Sequence, residues 1–90
     1  MPDLPLHERR NRLVLADIVR TYIEVGEPVS SRSVSKRYEE ALSPATIRNI
    51  MVDLEEAGYL YQPHTSAGRV PTAAAYRFFA QEIASQAYQR

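Results

Sequence analysis

The sequence contains no cysteine. A disulfide framework is therefore excluded, and a zinc site would have to be assembled from two histidines and carboxylates alone. No apolar run approaches the ~20 residues of a membrane span, and the N-terminus lacks the basic-then-apolar order of a signal peptide. The expectation is a soluble, cytoplasmic protein with no membrane partner. There is also no net charge, since eleven Lys and Arg balance eleven Asp and Glu. That balance counts against nucleic acid, because a phosphate-binding domain usually carries an excess of cations. Catalytic signatures are missing too. His7, His64, Ser43, Ser66 and scattered carboxylates are present without metal-ligand spacing, a nucleophile elbow or a phosphate loop, so neither an enzyme nor a cofactor is expected.

What is present suits one compact core. At 90 residues, 44% hydrophobic and 24% charged, the chain is long enough for a single domain and too short for two. Its charges are unevenly placed. Arg32, Lys36, Arg37 and Arg48 lie in the middle, Asp3, Glu8, Asp17, Glu24 and Glu27 toward the front, and Asp53, Glu55 and Glu56 together. A neutral total can conceal a basic face.

Hydrophobic spacing predicts a first helix over residues 6–23, with Leu15, Ile18, Val19 and Tyr22 on one side and Gly26 and Pro28 ending it. A second, shorter helix starts at Ser30 or Ser31 as N-cap and turns Val34 and Tyr38 inward, with Val29 and Val34 placed as a hydrophobic staple. The third has the clearest start: Ser43 caps it, Pro44 suits its first position, and Leu42 and Ile47 form the staple. Its inner stripe is Ile47, Ile50, Met51 and Leu54, and Gly58 stops it. The period then changes. Tyr59-Leu60-Tyr61-Gln62 reads as a strand, Ser66-Ala67-Gly68 as a turn and Arg69-Val70 as the returning strand. Thr72 caps a last helix with Tyr76, Phe79 and Ile83 on its inner side.

The fold expected is mainly α with a small β-hairpin: a winged helix-turn-helix, with a three-helix core plus wing, followed by a C-terminal helix. The third helix would enter the major groove of double-stranded DNA. Arg48 and Asn49 lead the outward face, since Arg can bond guanine with two donors and Asn can bond adenine as donor and acceptor. Ser43 at the opening, Ala45 and Thr46 complete that set. Arg32, Lys36 and Arg37 suit phosphate contact from the second helix, and Thr65, Ser66 and Arg69 suit it from the wing. The plainer reading of each group is a solvated face or an ordinary turn. A winged helix used for protein-protein interaction is the rival, because fold does not fix function.

Several runs carry a resemblance: Gly26-Glu27-Pro28-Val29, Ala45-Thr46-Ile47-Arg48-Asn49, Asp53-Leu54-Glu55-Glu56, Gly58-Tyr59-Leu60 and Gln62-Pro63-His64-Thr65-Ser66-Ala67-Gly68-Arg69. In this order, across residues 13–79, they resemble the N-terminal domain of the HrcA heat-inducible transcription repressors. The resemblance implies a homodimeric repressor of chaperone genes that binds an inverted-repeat operator and depends on the GroEL chaperonin. It also implies that residues 1–72 form the DNA-binding domain and residues 73–90 a helix leading toward a dimerisation region absent from this chain. The sequence departs from the family pattern at Ser30, where glycine is usual, and at Glu39-Glu40-Ala41, which replaces a glycine-containing turn. Ile50 stands in place of a glutamate and Ala73-Ala74-Ala75 in place of a more polar run. The last two changes are expected to add apolar contact.

Overall fold

In the computed structural model, which describes residues 4–39, 41–65 and 68–88, the first stretch divides into a 3-10 turn, Leu4–His7, and a helix α1, Arg9–Val25. The sequence pattern predicts one helix here. The carbonyls of the turn instead take side-chain donors: Asn11 Nδ2 reaches the Pro5 carbonyl at 2.8 Å, and the Arg12 guanidinium reaches those of Leu6 and His7. A continued α-helix would have bonded those carbonyls to its own backbone. Along α1, Val14, Leu15, Ile18 and Val19 are fully buried. The helix ends at Gly26, whose φ of 76° is the left-handed conformation glycine adopts without a Cβ penalty.

Helix α2, Ser31–Arg37, is capped by Ser30, whose Oγ accepts from the Ser33 N–H at 3.1 Å. Val34 is buried, as the spacing requires, and beside it Ser35 is buried as well. The Ser35 hydroxyl donates to the Leu42 carbonyl at 2.7 Å, tying α2 to the chain that enters the next helix. Between them Glu39 sits at φ 52°, so the turn keeps a left-handed position although no glycine fills it.

Helix α3, Pro44–Glu56, begins as its sequence predicts. Ser43 Oγ accepts from the Thr46 N–H at 3.1 Å, and Pro44 occupies the first turn. Ile47, Ile50, Met51 and Leu54 are buried; Ile50 therefore adds to this domain's own core. Gly58, at φ 88°, turns the chain out of α3 into strand β1, Leu60–Tyr61, which pairs antiparallel with β2, Val70–Pro71. The returning strand is set one residue later than expected, because Arg69 pairs elsewhere, with Val29.

Helix α4, Ala73–Tyr88, departs most from the expected pattern. Tyr76 and Ile83, expected inside, are 38% and 50% exposed, while Ala75 is fully buried and Phe78 and Phe79 pack partly against the core. The face of α4 turned to the core is that of Ala75, Phe78 and Phe79, and Tyr76 and Ile83 lie about a quarter-turn round the helix from its centre. Thr72 stands at the helix start as predicted, but its hydroxyl donates to the Gly58 carbonyl at 2.6 Å, pinning α4 to the corner between α3 and β1. The three-alanine run adds internal contact through Ala75.

Two predictions follow from the packing of α2. An L-residue in the left-handed region is strained by about 1–2 kcal/mol, part of which glycine's greater unfolded-state freedom offsets. Glu39→Gly is therefore expected to stabilise the domain by about 0.5–1 kcal/mol in chemical denaturation. The second concerns Tyr38, at the end of α2, whose phenol is pushed up to about 12 by burial, then by the negative charge of Asp17 and hydrogen bonding to it. The fold thus favours the protonated phenol. That stability is complete below the ordinary tyrosine value of about 10 and is lost as pH climbs from there through about 12. In denaturation curves collected across this window, Tyr38→Phe should flatten the decline, and the late-titrating tyrosine should vanish from the ultraviolet titration.

Candidate nucleic-acid interface

Helix α3 is held by one apolar stripe and leaves its other side in solvent. Ala45, Arg48, Asn49 and Val52 are exposed there, and Thr46 is half-buried. The outward set predicted from spacing thus stands together on the first turns of a helix that four buried residues fix in place. Ser43 is exposed, and its hydroxyl is engaged with Thr46, accepting from the backbone N–H and donating to Oγ1 at 3.0 Å. Its role in the structure is to hold the opening of the helix.

On α2, Arg32, Lys36 and Arg37 are all exposed. Among the described residues none of these cations, nor Arg48, forms a salt bridge, whereas Arg10, Arg20 and Arg69 do. The acidic residues of α3 lie in its second half, at Asp53, Glu55 and Glu56. Four cations without an ion pair thus stand on α2 and the front of α3, while Arg9, Arg12 and Arg77, on α1 and α4, also form none among the described residues.

The wing is where the structure adds most. Val29 and Arg69 exchange both backbone hydrogen bonds, N–H to carbonyl, each at 2.9 Å. This bridge extends the hairpin onto the segment just before α2. Gly68 lies so close to it that a Cβ there would stand 2.2 Å from the Val29 carbonyl oxygen and 2.9 Å from the Ser30 nitrogen. Glycine is required at this position by close backbone approach.

Arg69 was expected to be a free cation at the wing. Instead its Nε donates to Glu55 Oε1 at 2.9 Å, and its side chain is only 12% exposed. The guanidinium is committed to α3. Thr65 is exposed at the wing, its carbonyl accepting from Gln62 Nε2 at 3.1 Å, and Ser66 lies outside the described residues. Between wing and helix runs a cleft of about 350 Å³, lined by Ser30, Ser31, Arg48, Gln62, Thr65 and Arg69 among others. Composition and periodicity pointed to neither Gln62 nor Glu55. Opposite charge fourteen residues apart is too common to mark a pair in advance.

Among the described residues no group of three or more His, Cys, Asp or Glu is placed to hold a metal ion, and no helix is long and apolar enough to cross a membrane. The arrangement has surface chemistry suited to a polyanion.

The order α1–α2–α3–β1–β2, with α2 and α3 joined by a tight turn and the hairpin folded back beside α3, defines a winged helix-turn-helix domain. No family model matches the chain. Individual relatives match it closely. It is 58% identical over 74 residues to the heat-inducible transcription repressor HrcA of Geobacter sulfurreducens, covering 82% of this chain and 22% of that protein. To HrcA of Acetivibrio thermocellus it is 53% identical over 81 residues, covering 90% and 23%. A crystal structure of a hypothetical protein superposes with a TM-score of 0.86 at 48% identity, over 92% of this chain and 26% of that one. The chain is thus a homologue of the HrcA repressors and matches the N-terminal part of them. It spans about a fifth of the length of the curated relatives it matches.

The Gly68 contact yields a direct test. Gly68→Ala must push the wing away from Val29, and overpacking of this kind costs about 1–3 kcal/mol. A lowered denaturation midpoint is expected, together with faster amide exchange at Val29 and Arg69; unchanged exchange at both would mean the wing is held by other means.

Proposed function

We propose that this chain is the DNA-reading part of a repressor of heat-shock chaperone genes, and that it binds an inverted-repeat operator as a dimer. The observation that carries this reading is the exposed Arg48-Asn49 pair on a helix anchored by Ile47, Ile50, Met51 and Leu54, beside a wing pinned to the same helix. Arg48 and Asn49 read base edges, with Ala45 and Thr46 offering methyl groups to thymine. Arg32, Lys36 and Arg37 contact phosphates and set the register without reading sequence. Thr65 and Ser66 approach the backbone from the wing.

Two-fold symmetry explains the operator. A dimer presents the same helix to each half-site. In this reading residues 1–72 are the DNA-binding domain, and the helix from residue 73 leads toward a dimerisation region in the remainder of a longer repressor. The names of the relatives, heat-inducible transcription repressors, support a role in repressing transcription, and the family resemblance adds heat-shock chaperone genes as the target and dependence on GroEL. Cytoplasmic location follows from DNA as the partner, and no catalytic activity is needed.

The test is a titration of the chain, joined to a dimerising coiled coil, into a labelled inverted-repeat duplex and a scrambled control over a range of salt. Arg48→Ala should cost about 1–3 kcal/mol on the specific duplex and relax preference at one base position. Lys36→Ala should weaken both duplexes alike and reduce the salt slope by about one. Equal binding of the unmodified protein to both duplexes, without salt dependence, would favour a protein-binding winged helix instead.

A further inference from the structure

We propose that Arg69 and Glu55 form a strut that sets the spacing between wing and recognition helix, so that Arg69 is a positioning residue and the cleft it braces seats one strand of the DNA backbone. This rests on the DNA-binding reading above and goes further by assigning the wing's cation away from DNA. The Arg69 Nε–Glu55 Oε1 distance is 2.9 Å, and the side chains are 12% and 37% exposed. With Nε held by Glu55 and 12% of its side chain exposed, the guanidinium presents little surface to a phosphate. The backbone of Arg69 is fixed at the same time by its two hydrogen bonds to Val29, which leaves the guanidinium little freedom to swing outward.

Arg69 lines a cleft whose other walls carry Arg48, Ser31 and Thr65, and Glu55 stands behind it on α3, outside that lining. Arg48, Ser31 and Thr65 offer a cation and hydroxyls, groups that bind phosphate and sugar oxygens. Glu55 would repel a phosphate there if it stood alone. Paired with Arg69 it is neutralised, and the cleft's remaining charge is that of Arg48. One interaction thus holds the cleft's width and removes the negative charge that would oppose its use.

The two roles for Arg69 predict opposite responses, read on the dimerised chain against specific and scrambled duplexes. If Arg69 braces the wing, Glu55→Gln weakens specific binding by about three- to tenfold, although it removes a negative charge, because the groups on the wing lose their position. Backbone protection at the wing fades in hydroxyl-radical footprints while protection under α3 persists. The double substitution Glu55→Gln with Arg69→Gln keeps a neutral pair able to hydrogen-bond across the gap. It is expected to recover binding relative to Arg69→Gln alone and to show the salt slope of the unmodified protein. If Arg69 instead contacts DNA, Glu55→Gln binds more tightly with a steeper slope, and the double variant loses about one unit of slope; that result overturns the proposal. Should Glu55→Gln not fold, judged by its melting curve, the slope of the double variant decides alone. Failure of the unmodified protein to prefer its specific duplex would overturn the DNA-binding reading itself, a result distinct from any of these.

Discussion

The structure depends above all on the backbone bridge between Val29 and Arg69. A two-stranded hairpin of two residues per strand is not stable by itself; Leu60 and Val70 anchor this one in the core, and the Val29–Arg69 pair joins it by backbone to the segment before α2. The bridge requires Gly68, because any side chain there would collide with the Val29 carbonyl. It also places Val29 against the core, where it is 3% exposed, and leaves Ser30 as the next residue, free to cap α2. The cap of α2 and the position of the wing are therefore consequences of the same few atoms.

From this junction the two halves of the site acquire a common frame. Helix α2 is tied to α3 by the Ser35 hydroxyl on Leu42 and to α1 through Tyr38 and Asp17. Helix α3 is tied to the wing by Glu55 and Arg69, and the corner after it to α4 by Thr72 on Gly58. Each tie is a directed polar contact laid over apolar packing, which is non-directional and by itself fixes orientation poorly. Parts of a surface that come from separate elements need such ties to keep a fixed spacing.

Much of this was legible in the sequence, and the remainder was not for identifiable reasons. The caps at Ser30 and Ser43, the stops at Gly26 and Gly58 and the inner stripe of α3 are local features, decided within four residues, and each appears where its chemistry predicts. Helix α4 went differently because the spacing grouped Tyr76 and Ile83 with Phe79, whereas the face that packs is centred on Ala75, with Phe78 and Phe79 on either side of it; an alanine carries too little apolar signal to mark that centre. The register of β2 shifted because Val29, read as a staple, is also a strand partner, a relation spanning forty residues that no local pattern encodes. The ion pair of Arg69 was hidden for the same reason. Its charge is visible in the sequence, but its partner is not.

That last case bears on how a neutral chain can present a surface for a polyanion. Counting charges treats each cation as equally available, yet the chain disposes of them unequally. Arg12 is spent on carbonyls of the N-terminal turn, Arg20 on Asp17 and the face of Phe79, and Arg69 on Glu55. Arg32, Lys36, Arg37 and Arg48 stand on α2 and α3 without such commitments among the described residues, as Arg9 and Arg77 do on α1 and α4. The field that a nearby partner meets is set by this residue-by-residue allocation within about one Debye length of the surface. Beyond that distance the total, which is zero, hardly matters. The ion pair at the wing is the clearest instance, since it takes a cation out of the count and returns it as geometry.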